Sequence, residues 1–149
     1  MVVQVKQAVL VLLLSAAVSV QANSEEDRCL RSAARDFNVS FYVLKAIRMQ
    51  EAGKIGRVNC HNKNSTCDVG PMQINTIHVP KLTSLGITLD DLTYDLCSNL
   101  YAGAWYYRKM RNLTKSRWKA VAFYHNRDDY LGAIYMKKVL VHYKTLTAQ

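Results

Sequence analysis

Residues that break helices are scarce in this chain of 149 amino acids, which has only 6 glycines and 2 prolines. Such a composition suits helices joined by short loops. The sequence has no internal repeat, no low-complexity tract and no stretch that reads as a linker between domains. Together with the length, these absences predict a single, mainly α domain.

Acidic residues are also few: 11 Asp and Glu stand against 20 Lys and Arg, which gives a formal net charge of +9. A basic surface suggests an anionic partner, and nucleic acid is one such partner. However, the basic residues are scattered, and no motif that combines aromatic residues with glycine accompanies them. We therefore expect no nucleic-acid partner. Anionic polymers of a cell surface are the more common partners of a secreted basic protein, and a solvated surface without a specific role is the default interpretation of the charge.

A single long apolar run lies near the N-terminus, from Ala8 to Val20, and it follows Lys6. It is shorter than the roughly 20 residues of a comfortable membrane span. The small residues Val20 and Ala22 fit a signal-peptidase site. We predict a signal peptide over residues 1–22 and an exported, periplasmic domain over 23–149, without stable membrane insertion. An uncleaved anchor is the alternative.

The four cysteines all follow this signal, at Cys29, Cys60, Cys67 and Cys97. An even number of cysteines in an exported chain indicates disulfides, and four of them allow three pairings. Their spacing does not match the usual zinc-binding pairs, so no metal is expected. Cys60 and Cys67 would close a short loop, which leaves Cys29 to pair with Cys97.

The apolar residues recur with helical spacing along most of the chain. The last predicted helix carries Leu131, Ile134, Tyr135 and Val139 on its apolar face. The predicted elements are a helix at 28–37, a helix capped by Ser40 and ended by Gly53, a loop or small hairpin at 54–68, a short helix at 71–79 stopped by Pro80, a turn or cap at 88–92, and helices at 95–112, 116–124 and 129–146.

Glu51 lies at the C-terminal end of the apolar helix that follows Ser40. A carboxylate is unfavourable there because the helix dipole places partial negative charge at that end. The dipole and any burial both raise a carboxyl pKa, and a general acid needs such a pKa near neutral pH. Glu51 is therefore a candidate acid, and a solvated surface glutamate is the alternative.

Two further stretches carry polar groups suited to a ligand. In the first, Gly70 would allow a close backbone approach, and the amides of Gln73 and Asn75 suit sugar hydroxyl and acetamido groups. In the second, Tyr124 ends an apolar helix face, where its hydroxyl could reach a cleft. The alternatives are a loop braced by amide hydrogen bonds and a core tyrosine whose hydroxyl is already satisfied.

Together these features resemble the bacterial lytic transglycosylases of glycoside hydrolase family 23. The most specific stretches are DVGPMQIN, LTSLGITLDDLTYDLCSNLYAGAWYY and the pattern Ala-Val-x-x-Tyr that ends at Tyr124. The resemblance extends from about Cys29 to Leu146, and it is closest to small secreted members that accompany conjugation, type IV pilus and type III or IV secretion machines. It implies a lysozyme-like domain with a small loop or hairpin before the MQIN motif.

The resemblance also implies a chemistry and a set of site residues. Glu51 would protonate the glycosidic oxygen between N-acetylmuramic acid and N-acetylglucosamine and then act as a base. The muramyl 6-hydroxyl would close on C1 without water, which leaves a 1,6-anhydro sugar and requires neither a second carboxylate nor a cofactor. Asp68 would be a structural acceptor for loop amides. The implied substrate contacts are Gly70, Met72, Gln73, Asn75 and Tyr124, the last touching the catalytic carboxyl group.

The chain departs from the family pattern in three places. Ala52 replaces the usual serine, Pro71 replaces an aliphatic residue, and Tyr124 is followed by His125-Asn126-Arg127 in place of Asn-x-Gly. The loop after Tyr124 helps to form the cleft in the family. We therefore expect weaker activity or an altered substrate preference.

Two other functions compete with this interpretation. An animal-type hydrolytic lysozyme would use Glu51 together with Asp68, which follows Ser65-Thr66-Cys67. A non-catalytic glycan-binding or assembly protein would keep the fold and lose the reaction. The retained Glu51 argues against a pure binder, because binding needs no acid at a helix end. The expected partners are peptidoglycan strands and components of a secretion, conjugation or pilus machine.

Overall fold

A computed structural model describes residues 25–148 of the chain, and the prediction of a mainly α domain is confirmed. The predicted signal peptide at 1–22 lies outside the described residues. Within them, no helix combines the length and the apolar character that crossing a membrane would require. The helices are α1 at 25–36, α2 at Phe41–Glu51, α3 at Val79–Thr83, α4 at Leu89–Tyr94, α5 at Leu96–Thr114, α6 at Arg117–His125 and α7 at Asp129–Thr147.

A small antiparallel sheet interrupts the helices at the position predicted for a loop or hairpin. Its strands are β1 at Val58–Asn59, β2 at Asp68–Val69 and β3 at Ile74–Asn75, in the order β1-β2-β3. In this register Asp68 lies opposite Asn75, and Val69 lies opposite Ile74. The sheet therefore brings the polar residues of the DVGPMQIN stretch to one place.

Helix α2 begins as predicted but ends one residue earlier than expected. The Ser40 side chain accepts a hydrogen bond from the Val43 amide and so caps the helix. At the other end Ala52, not Gly53, adopts the left-handed conformation with φ 49°. Position 53 requires a glycine for a steric reason, because a Cβ there would collide with the carbonyl oxygen of Gly70.

The helix predicted at 71–79 is wrong. Residues 70–73 form a turn, β3 follows, and a 3-10 helix at Thr76–His78 leads into α3. Pro80 stands in the first turn of α3 and does not stop a helix. A proline is tolerated there because the first amides of a helix have no partner within the helix. The cap predicted near Thr88 is confirmed, since Thr88 and Asp91 form a reciprocal capping box that starts α4.

The core is one apolar cluster to which every long helix contributes. Helix α7 packs against α2 and α6, and α5 packs against α6 and α4. The largest fully buried side chains of the core cluster include Leu44 and Ile47 from α2 and Tyr107 and Met110 from α5. Because α2 ends where α6 and α7 meet, the residue at its C-terminus, Glu51, lies at the edge of this core.

The structure contains the two disulfides that the cysteine spacing predicts. Cys29–Cys97 joins α1 to the first turn of α5 and closes a loop of 68 residues. Cys60–Cys67 spans 7 residues and closes the loop between β1 and β2. The longer bond ties distant parts of the core together, whereas the shorter one shapes a surface loop.

We expect the longer disulfide to contribute more to stability. In the loop-entropy model a cross-link over 68 residues is worth about 4 kcal/mol, and one over 7 residues is worth about 2 kcal/mol. Denaturant unfolding should therefore show a larger loss for Cys29→Ala/Cys97→Ala than for Cys60→Ala/Cys67→Ala. Equal losses would contradict the assignment of the longer bond as the main staple.

Candidate active site

A cleft of about 620 Å³ runs past the end of α2. One wall comes from the loop between β1 and β2, from β3 and from the 3-10 helix, and the other comes from α5, α6 and the link to α7. Polar side chains dominate it, which suits a ligand rich in hydroxyl and amide groups. The lining residues are Glu51, Asn62, Asn64, Asp68, Gln73, Ile74, Asn75, Ile77, His78, Tyr106, Tyr124, His125, Asn126 and Arg127.

Glu51 is partly buried at the centre of this cleft. Burial raises the pKa of its carboxyl group from the ordinary value of 4.5 to about 7. A hydrogen bond from the Tyr135 hydroxyl opposes this shift in pKa, and the nearby negative charge of Asp68 adds to it. Glu51 is therefore close to half protonated at neutral pH, which suits a group that both gives and takes a proton.

Tyr135 is the neighbour of Glu51 that the sequence analysis missed. Its hydroxyl donates to Glu51 Oε1 over 2.5 Å, and its side chain is only 5 % exposed. The helical spacing places Tyr135 on the apolar face of the last helix. A buried tyrosine hydroxyl needs a hydrogen-bond partner, so its place on that apolar face was the available signal. The His125 ring stacks on Tyr135 with centroids 4.6 Å apart and so supports it.

Tyr124, which the family resemblance predicts to contact the catalytic carboxyl group, lines the cleft together with Glu51, but its hydroxyl forms its hydrogen bond elsewhere. Its hydroxyl donates to the Met72 carbonyl oxygen over 3.0 Å. The side chain is buried at the wall of the cleft, where burial first and the charge of Glu51 second raise its pKa. Tyr124 thus joins α6 to the turn at 70–73, and the hydrogen bond to Glu51 comes from α7.

Gly70 and Met72, two predicted substrate contacts, are buried behind the cleft wall and do not line it. A Cβ at Gly70, whose φ is 68°, would collide with the side chain of Asn99. The close approach that the glycine allows is therefore to the core and not to a ligand. Pro71 follows it at the second position of the turn that Gln73 closes by donating to Gly70, a position that proline favours.

Asn99 on α5 holds this turn in place. It is fully buried, and its Oδ1 accepts from the Met72 amide over 2.8 Å. Its Nδ2 donates to the carbonyl oxygens of Val69 and Leu92 over 3.0 and 2.8 Å. These three bonds use both donors and one acceptor site of the amide, so the inner side of the turn is fixed to the core.

Gln73 and Asn75 do line the cleft, but much of their hydrogen-bonding capacity is used within the protein. Asn75 Nδ2 donates to Asp68 Oδ1 over 3.0 Å and to Thr66 Oγ1 over 2.9 Å, while its Oδ1 caps the 3-10 helix. Gln73 Nε2 donates to Gly70 over 2.8 Å. Asp68 is an acceptor as predicted, although its partner is this side-chain amide and not a backbone amide of the loop.

Aromatic rings form one part of the cleft wall. His78 lies 4.5 Å from Tyr106, and Tyr106 lies 5.2 Å from Tyr124, between ring centroids. Trp105 packs beside His78 and Tyr106. Such a wall offers flat apolar surface to the faces of sugar rings. Local sequence patterns do not point to His78, Trp105 or Tyr106, because the 3-10 helix and α5 meet only in the folded chain.

Glu51 also lines a second cavity, of about 210 Å³. It shares Glu51 and His125 with the large cleft, and Leu131, Ile134 and Lys138 line the rest together with Gln50 and Tyr135. Glu51 therefore borders both cavities. Among residues 25–148, no three His, Cys, Asp or Glu side chains lie close enough together to hold a metal ion.

Comparison with known proteins agrees with this arrangement. The family model of the transglycosylase SLT domain matches residues 28–138, so the chain belongs to that family and is a lytic transglycosylase. It is 32 % identical over 124 residues to invasion protein IagB of Salmonella typhimurium, a match that covers 79 % of this chain and 76 % of that protein. It is also 33 % identical over 98 residues to the X polypeptide of Escherichia coli, covering 64 % of this chain and 57 % of that one.

We expect the stability of Glu51→Gln relative to the wild type to increase as the pH rises from about 4.5 to about 7. The pKa of Glu51 rises from 4.5 to about 7 on folding, so the unfolded chain releases this proton first and stability falls across that range. A glutamine does not ionise. The free energy of unfolding of the variant minus that of the wild type should therefore be up to about 3 kcal/mol higher at pH 8 than at pH 4.

Urea unfolding at pH 4, 6 and 8 measures this gain. Glu25→Gln is the matched control, because that side chain is exposed on α1 and only faces Arg28 at 3.9 Å. The control should shift little with pH. If the free energy of unfolding of Glu51→Gln relative to the wild type were the same at pH 8 as at pH 4, the carboxyl group would keep an ordinary pKa in the folded protein.

Proposed function

We propose that the protein cleaves the β-1,4 bond between N-acetylmuramic acid and N-acetylglucosamine in peptidoglycan, with Glu51 as the only acid–base residue. The supporting observation is the position of Glu51, which is partly buried, hydrogen-bonded by Tyr135 and part of the lining of two cavities. Its raised pKa, about 7, supplies a proton at neutral pH. Membership of the transglycosylase family supports the reaction class.

The reaction divides into two proton movements at one carboxyl group. Protonated Glu51 gives its proton to the glycosidic oxygen as the bond from C1 to that oxygen breaks. The muramyl 6-hydroxyl then bonds to C1, and its proton passes to the Glu51 carboxylate. The products are a 1,6-anhydromuramyl end and a free 4-hydroxyl, and Glu51 is protonated again without any water being consumed.

The environment of Asp68 supports this route over hydrolysis. A retaining hydrolase needs a second carboxylate that is free to attack or to stabilise C1. In this protein Asn75 holds Asp68 Oδ1 across the pair of strands β2 and β3. Asp68 therefore acts chiefly as a brace for the wall, and its charge helps to raise the pKa of Glu51.

The biological setting that we propose is the periplasm, reached through a signal peptide over residues 1–22. The relative from Salmonella typhimurium is named an invasion protein. We infer that this chain opens murein locally for a secretion, conjugation or pilus machine, and that components of such a machine are its partners. Local cutting would let an assembly cross a layer that is otherwise closed.

The products of murein digestion test the reaction. Mass spectrometry of a digest made by the wild-type protein should show 1,6-anhydromuramyl ends. Glu51→Gln should lower the rate by about 10²–10⁴-fold, the usual contribution of general acid–base catalysis, in a folded protein. Asp68→Asn should retain activity, reduced only to the extent that the substitution loosens the wall of the cleft.

The hydrolytic alternative gives the opposite pattern. Reducing ends that carry oxygen from water, together with an Asp68→Asn variant as damaged as Glu51→Gln, would assign the protein as a lysozyme. Binding of murein with no new ends of either kind would favour a glycan-binding assembly protein. Circular dichroism of each variant separates loss of chemistry from loss of fold.

We expect Tyr135→Phe to move the alkaline limb of the pH–rate profile to higher pH. The Tyr135 hydrogen bond favours the ionised carboxyl and lowers the pKa of Glu51. Without that bond Glu51 should hold its proton to higher pH and remain an acid there. Tyr143→Phe is the matched control, since Tyr143 lies about two turns further along α7 and packs on Trp118. An unmoved or acid-shifted limb in Tyr135→Phe would refute this role.

A further inference from the structure

Arg127 is the one Lys or Arg among the described residues that line the large cleft. It stands in the link between α6 and α7, where the chain departs from the Asn-x-Gly pattern of its family. Its side chain is exposed and lines the cleft, and it gives the charge a reach that a glycine at this position would not have. A cation at this point acts on whatever occupies the cleft.

The guanidinium has no partner within the described part of the chain. No ion pair and no hydrogen bond of its side chain occurs between residues 25 and 148. The nearby carboxylates are engaged elsewhere: Asp128 accepts from two amides at the start of α7, and Asp129 faces Lys119 at 3.9 Å. Asp68, across the cleft, accepts from Asn75. The charge of Arg127 is therefore available to a ligand.

The backbone that carries Arg127 is held on both sides. The Asn126 amide donates to Ala122 over 3.1 Å, and Asn126 Oδ1 accepts from the Asp128 amide over 2.9 Å. A Cβ on Gly132 would lie 2.8 Å from the carbonyl oxygen of Asn126, so α7 packs closely against this link. Only the side chain of Arg127 has to be ordered when a ligand binds, which reduces the entropy lost on binding.

The positive charge stands beside the aromatic part of the wall. The charge of Arg127 helps to lower the pKa of His78, after burial and Lys109, and it opposes the rise that burial causes in the pKa of Tyr106. Both rings line the cleft. An aromatic surface beside a guanidinium suits a sugar ring that carries an acidic substituent, because the ring stacks and the carboxylate meets the fork of donors.

We propose that Arg127 binds a carboxylate carried by a muramyl residue of the glycan strand and so makes the enzyme prefer muramyl strands to neutral chitin oligomers. This inference rests on the proposed function and specifies which feature of the substrate is read. The carboxylate has two possible sources, the lactyl ether of a strand without peptides and the acidic residues of an attached stem peptide. Both present the same planar acceptor to the guanidinium.

The test measures binding without turnover, in a Glu51→Gln background. Calorimetry compares three ligands: strands with stem peptides, strands stripped of peptides by an amidase, and chitohexaose. We expect Arg127→Gln to weaken binding of at least one muramyl ligand about tenfold, as loss of a charged hydrogen bond typically does, and to leave chitohexaose unchanged. Arg117→Gln is the matched control, because it removes the same charge at the other end of α6, outside the cleft lining.

The pattern of losses identifies the group. A loss confined to peptide-bearing strands assigns the stem peptide, a loss confined to stripped strands assigns the lactyl carboxylate, and a loss on both shows that either is accepted. Equal weakening for chitohexaose, or no weakening at all, would overturn the inference. Digestion products of the wild-type protein report separately on the proposed function. If anhydromuramyl ends form but Arg127→Gln does not change binding, only the role of Arg127 is rejected.

Discussion

The cleft depends on one buried amide, that of Asn99. A polar side chain without water must satisfy its hydrogen bonds within the protein, and Asn99 does so with the backbone of the turn at 70–73 and of its neighbours. The Met72 carbonyl that faces away from Asn99 then receives the Tyr124 hydroxyl. Both sides of the cleft are thereby tied to the same turn. Gly70 belongs to this arrangement because only a residue without a side chain leaves room for Asn99.

Burial of Glu51 raises the pKa of its carboxyl group and, near neutral pH, lowers the stability of the fold. Burial at the end of α2 disfavours the charged carboxylate, and a single hydroxyl, that of Tyr135, compensates in part. The result is a pKa of about 7, between that of a solvated glutamate and that of one with no partner. The same burial that gives the acid its proton at neutral pH also lowers the free energy of unfolding there. The proposed function and the stability of the fold are thus linked through one carboxyl group.

Local rules predicted most of the elements and failed where distant segments meet. Ser40, Thr88 and Ser116 are N-caps, as short polar residues before apolar spacing indicate. Gly53 and Pro80 were misread as helix stops. A side chain at position 53 would collide with the Gly70 carbonyl oxygen. The pairing of β3 with β2 and the 3-10 helix at Thr76–His78 come before α3, so Pro80 lies in the first turn of that helix and not at the end of one. In both cases a contact or pairing elsewhere decided the role of a residue whose type alone suggested another.

The sequence by itself predicted the long helices, the disulfide pairing and Glu51 as a candidate acid, because capping, spacing and a carboxyl group at an apolar helix end act over a few residues. Tertiary structure alone decided which groups surround Glu51. The Tyr135 hydroxyl reaches it across 84 residues of chain, and the Tyr124 hydroxyl donates to Met72. It also placed Gly70 and Met72 behind the wall and left Arg127 facing the cleft. Hydrogen bonds between distant residues depend on how helices pack, and no local pattern encodes that geometry.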